Sequence, residues 1–298
     1  MAALDDEYRR LVEEAGLPPE ALPSNAFFSN AVEHELNRAM AEQHVSAEKA
    51  SDPIQVDWDG DWNTLSSIPA GHLDGNTLQA CVAQRLAAGA KLAPMPIAVL
   101  ISGTGTNLQA IIDAIAAGSL NAEIKLVVAS RPDAAGLKRA EAAGLQTLTL
   151  SKDIYSDPIV ADEVIATELY RAGVAYVIMA GYMRKVHPPI LATFPERVIN
   201  LHPALLPSFR GLDAIVQAYE RGVKVAGITI HIANAAYDQG PILAQKAIMV
   251  EETWTLEQLE DAIHALEHTL YPELIQILSE GRVKVLPDLR VAIAPVRA

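Results

Sequence analysis

From Pro96 onward, short apolar runs alternate with longer stretches in which apolar residues recur every three or four positions. Short continuous runs read as buried strands, and the 3.6-residue recurrence reads as amphipathic helix. Ile97–Ile101 is the first expected strand, and Leu108, Ile111, Ile112 and Ile115 mark a helix behind it. Ile124–Ala129 is the next strand, followed by a helix over Leu137–Ala143 and a strand over Leu145–Leu150. The spacing then predicts a helix over Ile159–Ala172, a strand over Val174–Ala180 and a short strand over Val198–Leu201. Leu212–Arg221 reads as helix, Lys224–Ala233 and Ile242–Val250 as strands joined by a turn at Asp238, and Leu256–Glu280 as a long amphipathic helix. This alternation implies an α/β fold: an open, mostly parallel Rossmann-like sheet with helices on both faces and right-handed crossovers.

Residues 1–94 follow another pattern. Helical patches at Glu7–Ala15, Ala31–Gln43 and Thr77–Ala88 are separated by Leu17-Pro18-Pro19, by Leu22-Pro23-Ser24-Asn25 and by a polar stretch from Ser46 to Gly75. The region holds 15 acidic and 6 basic residues. It reads as an acidic, mainly helical accessory extension, partly disordered in its polar stretches. The expected organisation is an extension over 1–94, a catalytic domain over 95–284 and a C-terminal tail over 285–298. The alternating acids of Asp57-Trp58-Asp59-Gly60-Asp61 are like the start of a calcium loop, but the glycine comes too early and Ile68 stands where the closing glutamate belongs. A turn is expected there, with Trp58 and Trp62 docking it onto a surface.

The 298 residues are 50% hydrophobic and only 5% aromatic, enough aliphatic content for one large core or two ordinary ones. A net charge of -14 excludes a general nucleic-acid or anionic-membrane surface, because phosphates would be repelled. A local pocket for a small phosphorylated molecule stays open. The single cysteine, Cys81, permits no internal disulfide and no cysteine metal cluster, and reads as a small apolar residue on a helix. No apolar run approaches the roughly eighteen residues of a membrane span. Asp5, Asp6 and Glu7 near the start are unlike a targeting segment, so a cytoplasmic location is expected.

In open α/β sheets, ligands bind at the carboxyl ends of strands. Three loops fall there: Ser102–Asn107, Gly181-Tyr182-Met183-Arg184 and Asn200-Leu201-His202. The glycines of the first, with a helix N-terminus behind them, suit a phosphate; the alternative is a plain tight turn. A dinucleotide fingerprint is incomplete, since Leu108 replaces its third glycine and the second strand ends Ala129-Ser130-Arg131 without an acid for a ribose. Arg131 keeps an NADP reductase open as an alternative, whereas the missing P-loop lysine speaks against nucleoside triphosphate hydrolysis. Asn200 and His202 are two apart, so on a strand end they point to one side. Asp238, in the Asp238-Gln239-Gly240-Pro241-Ile242 turn, can return a carboxylate to that side. An amide and an imidazole facing one point can stabilise an oxyanion, and the carboxylate can hold the imidazole protonated. The competing reading makes these residues loop anchors and a turn former. His231 reads as a structural group supporting Asp238. His264 and His268 can share a helix face, but Ala265 stands where a zinc helix needs glutamate, so no metal is expected.

Taken together, these segments resemble the folate-dependent phosphoribosylglycinamide formyltransferases of de novo purine synthesis. The resemblance runs from Pro96 to Val283. It rests on the Ile101–Ile111 segment, Ala180-Gly181-Tyr182-Met183-Arg184, Asn200-Leu201-His202-Pro203-Ala204-Leu205-Leu206-Pro207, Gly227-Ile228-Thr229-Ile230-His231, the Asp238 turn and Glu267-His268-Thr269-Leu270-Tyr271-Pro272. It implies transfer of the formyl group of 10-formyltetrahydrofolate, as co-substrate, to the amine of phosphoribosylglycinamide. Gly105, Thr106, Asn107, His264 and Glu267 would hold the glycinamide substrate. Met183, Arg184, Lys185, Val186, Asn200, Asn234, Ala235, Ala236, Tyr237 and Asp238 would line the folate pocket. Asn200, His202 and Asp238 would be catalytic. The partners implied are these small molecules, with no nucleic acid and no membrane, for a monomer or weak homodimer. Three departures stand out: Ser156-Asp157-Pro158 lacks the arginine that the family often has near Pro158, facing the folate tail; Ala235 and Ala236 replace acids; and residues 1–94 have no counterpart.

Related activities stay open. Formyltetrahydrofolate deformylase carries an N-terminal domain of alternating strands and helices, and shows His-His where this chain has His202-Pro203. Methionyl-tRNA formyltransferase adds a basic C-terminal domain, for which this chain has about fifteen residues. A sugar-nucleotide formyltransferase, or a non-catalytic binding protein on the same fold, completes the set; the catalytic trio argues against the last.

Overall fold

The computed structural model describes residue 58 and residues 60–296, so the patches expected at Glu7–Ala15 and Ala31–Gln43 lie outside the described residues. The main sheet has seven strands: β1 (Met95–Ile101), β2 (Ala122–Ala129), β3 (Thr147–Thr149), β4 (Tyr176–Met179), β5 (Val198–His202), β6 (Val225–Ile232) and β7 (Ile242–Met249). Their order is β3-β2-β1-β4-β5-β6-β7. The pairs from β3 through β5 are parallel, and β6 and β7 extend the sheet antiparallel. Strand order reverses between β1 and β4, which opens a crevice at their carboxyl ends.

β1 is buried along its whole length because both faces of the sheet are covered. Ile97, Val99 and Ile101 point into one core cluster, and Ala98 and Leu100 into the other. The first cluster gathers α1 (Gly75–Ala87), α2 (Thr106–Ala116), α3 (Gly136–Ala142) and the end of α7 (Leu256–Ser279); the second gathers α4 (Pro158–Arg171) and α5 (Pro188–Thr193). A third, smaller cluster packs α6 (Ala214–Glu220) and the first turns of α7 on β6. Local signals set the helix starts. Asp157 accepts the N–H groups of Ile159 and Val160 while Pro158 takes the first position of α4. Thr255 and Gln258 form a reciprocal capping box on α7.

The part of the acidic region that is described packs into the same core. Trp58, Trp62, Leu65, Leu73, Leu78 and Val82 share a buried cluster with β1 and α7. The Trp58 and Trp62 rings lie 4.6 Å apart, and Asp61 caps a short 3-10 turn, Trp62–Ser67, so these tryptophans dock as expected. Gln79 on α1 donates to Tyr176 Oη (2.9 Å) and the Leu278 carbonyl (2.8 Å), and accepts the Val283 N–H (2.9 Å). Asn76 pairs in both directions with the backbone of Val285, tying α1 to the hairpin of β8 (Val283–Val285) and β9 (Val291–Ile293). Gly281 lets the chain pass close to α1: a Cβ there would sit 2.6 Å from the Ala83 nitrogen. Residue 94 thus has residues of one shared core cluster on either side of it, and residue 285 ends β8. The apolar stripe of α1 announces a buried face, but not the surface that it meets.

Candidate active site

β5 ends in Asn200 and His202, and both side chains turn toward the β6–β7 connection. Asp238 stands in that connection with φ 53°, a left-handed conformation that aspartate tolerates better than bulky residues do. Its turn is held tight by Gly240, whose missing Cβ leaves room for the Ile232 carbonyl. Asp238 Oδ2 lies 3.4 Å from His202 Nδ1 and accepts the Gly211 N–H at 2.9 Å. Asp238 Oδ1 lies 3.5 Å from both His231 Nε2 and Asn200 Nδ2. Burial pushes the Asp238 carboxyl up, but the Gly211 N–H bond and the His231 and His202 imidazoles beside it outweigh burial, holding the group below the ordinary carboxylate range. Asp238 is therefore an anion at neutral pH.

The proton positions follow from fixed partners. A carbonyl only accepts, so His231 Nδ1–H donates to the Ile232 carbonyl at 3.0 Å, leaving Nε2 of the neutral ring as an acceptor. The Asn200 amide must then present its NH₂ side, 3.1 Å from His231 Nε2. Its second N–H meets Asp238 at the 3.5 Å limit, and is the one readily redirected to a substrate oxygen. On the same logic His202 Nε2–H donates to the Phe209 carbonyl at 2.7 Å. Phe209, at φ 53°, and Gly211 belong to the loop after β5, and neither was signalled by the sequence.

A second polar group lies between α2 and α7. Gly105, with φ 73°, starts α2, and its missing Cβ lets Gly136 pack against it. No side chain caps this end of α2, so Gly105, Thr106 and Asn107 present an open helix N-terminus. Asn107 Nδ2 donates to Glu267 Oε2 at 2.9 Å, and His264 Nδ1 lies 3.0 Å from the same oxygen. Asn107 Oδ1 is buried without a partner, an acceptor still to be satisfied. The hydrogen bond to Glu267 raises the His264 pKa against burial, favouring a cation beside the helix N-terminus. His264 and His268 stack at 6.3 Å, and no group of three or more metal-ligating side chains occurs among the described residues.

The expected folate-lining residues divide. Val186 is buried, Met183 is 67% exposed, and Lys185 is exposed. The Arg184 guanidinium stacks 4.3 Å over the Tyr155 ring and donates to the Tyr155 carbonyl at 3.0 Å, an attachment that the sequence did not signal. Asn234 and Tyr237 are exposed and Ala235 and Ala236 half-buried, so this side of the Asp238 turn is open and carries no acid before Asp238. The structure joins Asn200, His202 and Asp238, with His231 beside Asp238 as its expected support. It joins Asn107, His264 and Glu267 in a separate cluster.

The formyl transferase family profile matches residues 95–275. The phosphoribosylglycinamide formyltransferase of Bacillus subtilis is 40% identical over 181 residues, covering 61% of this chain and 93% of that protein. The chain belongs to the formyl transferase family. The formyl transferase of Escherichia coli that carries the same name is 34% identical, covering 64% of this chain and 90% of that protein. Among solved structures, glycinamide ribonucleotide transformylase 1 from Symbiobacterium toebii superposes with a TM-score of 0.65 at 45% identity, covering 67% of this chain and 94% of that one. The formyl transferase match begins at the first residue of β1, so α1 and the tryptophan turn lie outside it.

Proposed function

We propose that this chain transfers the formyl group of 10-formyltetrahydrofolate to the amine of 5′-phosphoribosylglycinamide, within purine biosynthesis. The observation that carries this reading is the convergence of Asn200, His202, His231 and an ionised Asp238 at the carboxyl end of β5, in a chain akin to phosphoribosylglycinamide formyltransferases along their near-full length. The substrate phosphate sits at the open N-terminus of α2, with Asn107, Glu267 and His264 around the glycinamide. The folate lies against Met183–Val186 and the Asn234–Asp238 turn.

The amine nitrogen attacks the formyl carbon, and the carbonyl oxygen becomes an oxyanion. Asn200 Nδ2–H and His202 Nε2–H stabilise it, the latter released from the Phe209 carbonyl, which marks the place of a strong acceptor in this structure. Asp238 favours the cationic form of His202 and assists the proton from the attacking nitrogen to folate N10; the C–N10 bond then breaks, leaving tetrahydrofolate and the formylated amine. No covalent enzyme intermediate is required. The same reading takes only small molecules as partners, in a monomer or weak homodimer of the cytoplasm; among the described residues no helix is long and apolar enough to cross a membrane.

A spectrophotometric assay with 10-formyltetrahydrofolate, run with and without phosphoribosylglycinamide, tests the proposal. Folate release that needs the glycinamide is the expected result. Release without an acceptor would make the protein a deformylase, and no release in either arm would overturn the transfer reading.

A further inference from the structure

The segment Met183–Val186 follows β4 and belongs to no helix or strand, so its shape depends on what holds its ends. At the near end the Met183 N–H donates to Ser102 Oγ at 2.8 Å; Ser102 is buried after β1 and also accepts from Ser130 Oγ at 2.7 Å. At the far end the His187 N–H donates to Asp162 Oδ2 at 2.6 Å, and His187 Nδ1 lies 3.0 Å from the same oxygen. Asp162 is only 3% exposed, in α4. The Asp157 cap and Pro158 fix the start of α4, so the carboxylate is delivered from a rigid element. Arg184, stacked on Tyr155, braces the middle of the segment.

We propose that Asp162 is a positioning residue for the folate site, pinning the far end of the Met183–His187 bridge as Ser102 pins the near end. This inference rests on the reading that Met183–Val186 lines the folate pocket. A charged acceptor is otherwise a poor occupant of this helix face: Asp162 shares its buried stripe with Ala161, Ile165, Ala166 and Leu169. Burial pushes its carboxyl above the ordinary range, against the pull of both His187 bonds, so the fold carries a cost that the two donors offset. The hydrogen bonds that join Asp162 and His187 run to each other and not to the Asn200–Asp238 cluster, so loss of the pin loosens the pocket wall and leaves the reacting groups in place.

The test is steady-state kinetics of the full chain carrying Asp162→Ala, Asp162→Asn or Ser102→Ala. Asp162→Ala is expected to raise KM for 10-formyltetrahydrofolate about tenfold, roughly 1.4 kcal/mol, with kcat and KM for phosphoribosylglycinamide within about twofold. Asp162→Asn keeps an oxygen for the His187 N–H and is expected to recover most of the loss. Ser102→Ala should act in the same direction as Asp162→Ala, and reports on the bridge if Asp162→Ala does not fold. An unchanged folate KM, an equal rise in both KM values, or no recovery in Asp162→Asn would overturn the inference. Calorimetric titration with tetrahydrofolate reads the same weakening without turnover. A protein that binds tetrahydrofolate but transfers no formyl group would sink the functional reading and leave the positioning role to be decided by the variants.

Discussion

Gln79 at the amino ends of the strands and Asp238 at their carboxyl ends are both buried polar groups with several partners. They differ in how those partners hold them. Gln79 has three neutral partners, all within 2.9 Å. Asp238 is charged, and three of its four contacts lie between 3.4 and 3.5 Å. Close neutral bonds lock α1 to β4, α7 and β8. Long bonds around an anion leave donors that can be redirected when a substrate arrives, as catalytic hydrogen bonds often tighten only in the complex. One end of the sheet is built to stay, and the other to exchange partners.

The largest expected effect breaks the first end outright. A chain beginning at residue 95 loses α1, exposes the surface under Leu78 and Val82, and leaves the Val283 N–H unpaired. Each of these side chains is worth about 1.5–3 kcal/mol of burial, so no cooperative melting transition is expected by circular dichroism. A stable, active 95–298 fragment would show that α1 is a detachable module. At the other end, His202→Ala and Asp238→Ala should each lower kcat by about a hundredfold or more, with melting temperatures near that of the parent protein. Near-normal turnover in both would remove the catalytic assignment. Gln79→Ala should do the reverse: about 1–3 kcal/mol of stability lost through unpaired buried groups, read by denaturant titration, with kcat unchanged. Asn107→Ala sharpens the substrate side, raising KM for phosphoribosylglycinamide several-fold while that for folate holds. An effect confined to folate would reverse the two pockets.

The smallest effect is the pH dependence of stability. The folded Asp238 carboxyl titrates below its unfolded value of about 3.9, because its hydrogen bonds favour the anion. Its contribution is therefore fully present above that unfolded value, and is lost as pH falls through the lower folded one. Asp238→Asn should flatten the acid limb of a stability profile measured by denaturant titration; an unchanged limb would assign it to other carboxylates.

The long periodic elements were legible in the sequence, because burial on both faces of β1 and on one stripe of α4 and α7 leaves a mark on every turn or strand. The convergence of Asn200, His202 and Asp238 was legible for a related reason: the two-residue spacing of Asn200 and His202 on a strand end fixes their direction. Short pieces left no such mark. The six residues of α5 begin with two prolines, and the hairpin strands β8 and β9 have three residues each, too few to show a period. Partners donated by the backbone, such as the Phe209 carbonyl and the Gly211 N–H, carry no side-chain signature at all. Asp162 was findable, since a carboxylate spaced with Ile165, Ala166 and Leu169 falls on an apolar stripe and asks for a buried donor.

The hydroxyl of Tyr271 is shared between the carbonyls of Met179 in β4 and Ile199 in β5, 3.0 Å from each, and the ring is fully buried. It fastens the middle of α7 to β4, which the Met183–Val186 segment follows, and to β5, which carries Asn200 and His202. Glu267 lies one turn before it and the Leu278 carbonyl about two turns after. In hydrogen–deuterium exchange, the helical amides flanking Tyr271 and Pro272, which itself has no N–H, should therefore open only with the whole fold, forming the slowest-exchanging unit of the chain. The loop through Phe209 and Gly211, held by a few bonds at the crevice, should exchange far sooner.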